Sequence, residues 1–201
     1  MILIAGDSFS KTCHHLVWHD FIFGRNNKKK FNSALDGAGN YFISDTINTL
    51  IKQNQKIIKK VIVLWSQFYR LDLVVDHPIN DLHGFVDGKC YQFSGGVPDG
   101  SKKWNQLFKP YIKEVGLDKV IENSYLQVKN TIKNLESYNI DFNFGFVYAD
   151  PLVKKFETHD RFIPIIFNEL VKYGSYQGED GHHPSEQGHR LFAEKITKYI
   201  G

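Results

Sequence analysis

Ile2-Leu3-Ile4-Ala5-Gly6-Asp7-Ser8-Phe9-Ser10 begins as an unbroken apolar run and halts at a Gly-Asp-Ser turn. Four apolar residues in succession suit a strand covered on both faces, as strands inside a parallel sheet are. The serine then falls where a buried strand gives way to a loop. In residues 11–23, Leu16, Val17, Phe21 and Ile22 recur at near-helical spacing, which predicts a helix with Ser8 just ahead of its N-terminus.

Working outward, residues 26–30 form a polar, basic loop and residues 31–35 a short edge strand. Asp36-Gly37-Ala38-Gly39-Asn40 ends that strand, its glycines permitting tight turns. Ile43, Ile47, Leu50 and Ile51 mark an amphipathic helix. Val61-Ile62-Val63-Leu64 is the clearest strand, central by its apolar character, and it runs into Trp65-Ser66-Gln67-Phe68-Tyr69-Arg70. Periodicity is lost over about 76–115, a Gly-, Pro- and aromatic-rich stretch read as a long loop insertion. It returns as a helix over 117–138, a strand over 142–148, a short helix over 163–171 and a last helix over 185–200 with Ser185 as N-cap. Strands alternating with helices predict one α/β domain, residues 1–201, with a mainly parallel sheet and right-handed crossovers. Ligands in such sheets bind at the carboxyl ends of the strands, where the loops at Gly6, Gly37, Trp65 and Asp180 gather.

Length and composition agree with a single globular unit. The chain has 201 residues, 42% hydrophobic and 23% charged, and no apolar run approaches the ~18 residues of a membrane span. A formal charge of +3 is too small, and Lys and Arg too scattered, for a nucleic-acid partner; Lys28-Lys29-Lys30 reads as a solvated loop. The opening residues carry no signal-peptide pattern, so a cytoplasmic location is expected for the chain as sequenced, with a phage-encoded or particle-borne protein as the alternative. Cys13 and Cys90 lack metal-ligand or redox spacing and are read as reduced and structural. His15 and His19, one helical turn apart, together with His182, His183 and His189, raise metal binding as a rival chemistry. No cysteine or carboxylate cluster accompanies them, and a solvated helix face is the simpler reading.

Asp180-Gly181-His182-His183-Pro184-Ser185 precedes the last helix. An Asp and a His three residues apart on one loop can act as an acid-base pair, and a serine needs such a neutral imidazole to take its proton. Ser8 is the candidate nucleophile, His183 the base, and Asp180 the group that fixes the imidazole tautomer. Gly6-Asp7-Ser8 at one end and Asp180-x-x-His183-Pro184 at the other resemble the first and last blocks of the SGNH (GDSL-type) hydrolases. The resemblance implies a flavodoxin-like three-layer α/β/α sandwich and a serine esterase or acylhydrolase without cofactor or metal. It also implies an oxyanion hole from the Ser8 N–H, Gly39 (Gly37 the runner-up) and a third-block carboxamide. In that block the family has Gly-x-Asn-Asp and this chain has Trp65-Ser66-Gln67-Phe68, so Gln67, or else Ser66, takes the donor role. Gly37, Asn40, Ser66 and Arg70 are candidate substrate contacts, Arg70 either through an anionic group or simply in a surface salt bridge. The expected substrate is a small acyl ester, with an O-acetylated sugar the leading form. A binding or phage-particle-associated module that kept the fold and lost turnover is the reading from another class.

Overall fold

A computed structural model describes residues 1–11, 15–78, 81–94, 104–171, 178 and 183–200. Among these residues, seven strands and six α-helices follow one another as β1 (Ile2–Ala5), α1 (Trp18–Phe23), β2 (Lys30–Asn32), α2 (Asn40–Asn54), β3 (Lys60–Trp65), β4 (Asp72–Val75), β5 (His83–Val86), β6 (Lys89–Phe93), α3 (Lys109–Val115), α4 (Leu117–Ser137), β7 (Asp141–Phe146), α5 (Phe167–Val171) and α6 (Glu186–Ile200). The central sheet has the order β2-β1-β3-β7 and is parallel throughout. A parallel bridge between Phe144 and Phe162 lays a rudimentary fifth strand beside β7, which completes the flavodoxin-like order.

Alternation along the strands builds the three layers. Leu3 and Ala5 of β1 and Val61, Val63 and Trp65 of β3 pack against α2 and α4, through Phe42, Ile43, Ile47, Val128 and Ile132. Ile4, Ile62 and Leu64 point the other way, onto Trp18 of α1, Phe167 of α5 and Phe192 and Ile196 of α6. A strand with apolar residues at every position therefore fills two cores at once, which is why β1 and β3 read as continuous apolar runs.

Gly6 ends β1 at φ +157°, where a Cβ would sit 3.0 Å from the Leu64 carbonyl oxygen of β3. That close approach lets the chain leave the sheet beside β3, at the point where the strand order reverses between β1 and β3. Ser8 lies two residues beyond it.

The structure corrects three expectations. The described part of 76–115 is not one long loop: β5 and β6 form a separate antiparallel sheet with β4, which lies just ahead of the stretch, and α3 follows a π-helical turn at Trp104–Phe108. Asp87 (φ 48°) and Gly88 (φ 78°) make a two-residue turn between Val86 and Lys89, the Asp-Gly hairpin chemistry that the sequence carried in plain view. The helix expected over 11–23 begins only at Trp18, so Ser8 is followed by a turn, not by a helix N-terminus; residues 12–14, with Cys13, lie outside the described residues. The helix expected over 163–171 is confined to Phe167–Val171, because Ile163 is extended onto β7 through its N–H and Pro164 cannot donate. Ser185 does cap α6, accepting from Gly188 N at 3.2 Å. Cys90 is buried with a free thiol. Among the described residues, no helix is long and apolar enough to cross a membrane.

Candidate active site

The Gly-Asp-Ser turn is held from every side. Asp7 is fully buried and accepts from Phe9 N at 3.1 Å, from Ser66 Oγ at 3.1 Å and from Arg70 Nη1 at 2.9 Å. Burial pushes the Asp7 carboxyl up from the usual carboxylate range, opposed by the Arg70 guanidinium and by these hydrogen bonds. Ser10, also buried, receives the Trp18 indole N–H on its hydroxyl at 3.2 Å and the Asn32 amide on its carbonyl at 2.8 Å. His19 Nε2 donates to the same carbonyl at 2.9 Å, while Lys30 Nζ donates to His19 Nδ1 at 3.1 Å and pairs with Asp20. Polar groups that spend their hydrogen bonds on the backbone of a turn fix its shape. Ser8 is the partly exposed residue inside that frame.

His183 meets it from the other end of the chain. Its Nε2 lies 3.0 Å from Ser8 Oγ, a contact between residues 175 apart in sequence. The imidazole rests against Phe9 at a centroid distance of 5.7 Å, and Phe9 in turn packs edge-on against Tyr148 and Phe167. The His183 carbonyl accepts from Gly178 N at 2.7 Å. Asp180 lies outside the described residues, as does His182.

The remaining expected site residues turn out otherwise. Gly39 directs its N–H at Asp72 Oδ1, 2.8 Å away, and a Cβ there would lie 2.8 Å from Asp72 Oδ2. Asp72 also accepts from Phe42 N at 2.9 Å, so it caps α2 from another element; burial lifts its carboxyl to about 7 against the pull of those backbone bonds. The Gly39 N–H is thereby committed to Asp72 and not presented as an oxyanion donor. Ser66 donates its hydroxyl to Asp7 and its N–H to Asn40 Oδ1 at 2.9 Å. The Asn40 amide donates to Ser66 O at 3.2 Å and to Ser124 Oγ at 3.0 Å. Asn40 and Ser66 thus tie α2 to β3 and α4, and Ser66 also lines a cavity together with Gln67. Arg70 is neither a surface salt bridge nor an open anion site, being buried on Asp7. Gly37 adopts φ 76° in the turn before α2, a backbone role. Gln67 lines a cavity that Ser8 does not border. Among the described residues, nothing accepts from the Ser8 N–H.

Ser8 opens onto a cavity of about 220 Å³ lined by Lys11, His15, Asp36, His183, Pro184 and His189. His189 is 2% exposed, and its Nδ1 has no hydrogen-bond partner. Burial, reinforced by His15, His19 and His183, holds its pKa down at about 3, so the ring is neutral. Of the imidazoles raised as rival metal ligands, His19 serves the Ser10 carbonyl and His15 lies 5.6 Å from His189 between ring centroids; among the described residues no group of three or more His, Cys, Asp or Glu could hold a metal ion.

The His189 environment fixes a pH dependence. Unfolded, the imidazole titrates near ~6.5, and folded near 3, so between those values the unfolded chain binds a proton that the folded chain refuses. Stability is present above pH ~6.5 and drains away as pH falls toward 3, by a few kcal/mol at the limit. Asp72, raised to about 7, acts in the opposite sense, its contribution lost as pH rises from ~4 through 7. Melting curves should therefore show His189→Leu losing less stability than the parent chain between pH 6.5 and 4; parallel curves would contradict the assignment.

Sequence reasoning missed the roles of Asp7, Asp72 and Tyr148. Asp72 did leave a trace, as a lone carboxylate between Leu71 and Leu73 in an apolar stretch. His189 left one too, falling in register with Phe192, Ala193, Ile196 and Ile200 on the buried face of α6.

No protein-family model and no curated protein matches this sequence. Solved structures do match its fold. The psychrotrophic esterase EstA from a Pseudoalteromonas species, in a form inhibited by monoethylphosphonate, superposes with a TM-score of 0.58 at 12% identity over 99% of this chain and 95% of that one. TesA gives 0.57 at 11% identity over 99% and 97%. A GDSL-like lipase from Bacteroides thetaiotaomicron gives 0.51 at 10% identity over 99% and 86%. With the parallel sheet, its two helical layers and the Gly-Asp-Ser turn at the end of β1, the likeness read from the two ends of the sequence extends over nearly its whole length in the fold: this chain has the fold of the SGNH (GDSL-type) hydrolases.

Proposed function

We propose that the chain is a serine ester hydrolase acting on a small acyl ester. The observation that carries this reading is the 3.0 Å contact between Ser8 Oγ and His183 Nε2. In the reaction His183 Nε2 accepts the hydroxyl proton as Ser8 Oγ attacks the acyl carbon, and the oxyanion forms beside the unengaged Ser8 N–H. His183 then returns the proton to the departing alkoxide, and water, deprotonated by the same nitrogen, releases the acid. Asp180 is assigned to the Nδ1 side of the ring, where a carboxylate fixes the tautomer that leaves Nε2 as the acceptor. An O-acetylated carbohydrate is the substrate form favoured here, because the space bordered by Ser8 is small.

A second reading has its own support. With the Gly39 N–H engaged by Asp72 and Gln67 lining a different cavity, few donors face the acyl oxygen, as suits a binding module that has shed most of its turnover. A fluorophosphonate probe decides between them. Covalent labelling at Ser8, mapped by peptide mass spectrometry and lost in Ser8→Ala, is the expected outcome. A folded chain that stays unlabelled after long exposure rules out the hydrolase.

A further inference from the structure

A second cavity lies along the same edge of the sheet. It measures about 210 Å³ and opens where β3 and β7 end, lined by Gln67, Tyr69, Tyr148, Asp150, Asn168 and Glu169 among others. The strand order β2-β1-β3-β7 sets it beside the Ser8 turn, which ends β1. The two spaces are one aromatic ring apart, since Phe9, next to Ser8, touches Tyr148 at 5.5 Å and His183 at 5.7 Å between centroids.

Its lining has an unusual chemical balance. The Gln67 side-chain oxygen is buried with no hydrogen-bond partner, although a buried carboxamide atom is nearly always paired. Leaving such an atom unpaired is costly, and a turn of the carboxamide toward the cavity that Gln67 lines lets a ligand there pair it. None of the described side chains lining the cavity is Lys or Arg, and the guanidinium of Arg70, 6.0 Å from the Tyr148 ring centre, is held by Asp7. Two carboxamides and two carboxylates face the space instead, with tyrosines to cover apolar C–H surface. Hydroxyl groups both donate and accept and carry no charge, so they match carboxamides and carboxylates; an anionic group meets only repulsion. A space of about 210 Å³ suits one ring and is too little for a long acyl chain.

We propose that this cavity binds one neutral, polyhydroxylated ring, a monosaccharide unit, with the Gln67 carboxamide as its anchoring hydrogen-bond partner and Asn168 as a second. The ring is then the alcohol side of the ester whose acyl carbon meets Ser8. That last link rests on the hydrolase reading; the binding site itself does not.

The test is made without bond cleavage, on the Ser8→Ala chain, by saturation-transfer NMR with methyl β-glucopyranoside and methyl β-xylopyranoside, and with glucuronate as the anionic probe. Saturation should pass to the neutral glycosides at millimolar concentration and not to glucuronate. Gln67→Met, which keeps the bulk and removes the carboxamide, should weaken glycoside binding at least about tenfold without lowering Tm, because the group removed was unpaired in the free protein. Should Gln67→Met lower Tm, Asn168→Ala, at a partly exposed position, must produce the loss of binding instead. Absence of transfer from either glycoside at tens of millimolar, a preference for glucuronate, or undiminished binding in both variants overturns the proposal. Because no reaction is measured, this result and fluorophosphonate labelling of Ser8 succeed or fail separately.

Discussion

Ser8→Ala should lower the turnover of a short-chain activated ester by about 10⁴- to 10⁶-fold while Tm stays within a degree or two of the parent chain. The loss is large because, in the proposed reaction, nucleophile and base act as a unit: without Oγ, the 3.0 Å contact to His183 Nε2 has nothing to activate. The stability is kept because the frame of the turn is built from other atoms. Asp7, Ser10, Trp18, His19 and Asn32 hold the backbone on either side of Ser8, and the serine hydroxyl takes no part in that frame. Initial rates over a wide range of enzyme concentration, with melting curves on the same preparations, give both quantities. Turnover by folded Ser8→Ala within tenfold of the parent chain would remove Ser8 from the mechanism.

The second large effect is on stability. Arg70→Ala should destabilise the chain by about 3–5 kcal/mol, because it leaves the fully buried Asp7 carboxyl without its cation. A domain of this size holds only about 5–15 kcal/mol in reserve, so the Tm should drop by roughly 10 °C. The pair itself adds little net stability, since two charges had to be desolvated to form it. Asp7→Asn combined with Arg70→Met should accordingly lie well above Arg70→Ala in Tm, and the two single changes should not add. An Arg70→Ala chain that melts with the parent would show that Asp7 is stable without the guanidinium, contrary to its burial and geometry.

How much of this was written in the sequence depends on how far apart the partners lie. β1, β3, α2, α4, β7 and α6 were legible, because periodicity is a local property and each has one or two buried faces. The contact between Ser8 and His183 was anticipated because each stands at the junction of a periodic segment with a turn. The insertion was misread because short antiparallel strands with one exposed face give a weak signal; Val74 and Phe85 are more than half exposed and break the alternation. The polar residues were misassigned for another reason. Arg70, Ser66, Asn40 and Gly39 carry the residue types of a substrate site, but their partners are Asp7, Ser124 and Asp72, which only the order of strands in the sheet brings near. Asp7 and Arg70 are 63 positions apart, and no local pattern encodes such a pairing.

Lys30 bears on a different property, the tendency of the molecule to associate with copies of itself. It lies on β2, the edge strand of the central sheet, yet its side chain is only 5% exposed because the ammonium turns inward onto Asp20 and His19. An inward charge on an edge resists the flat, apolar contact that a foreign strand needs in order to pair there. At the opposite edge β7 is bordered by the short bridge at Phe162, and Pro164, which has no N–H to offer, closes that segment two residues later. Neither side of the sheet therefore presents a long free ladder. The same lysine that steadies the backbone behind Ser8 also leaves this edge ill suited to pairing with another copy of the chain.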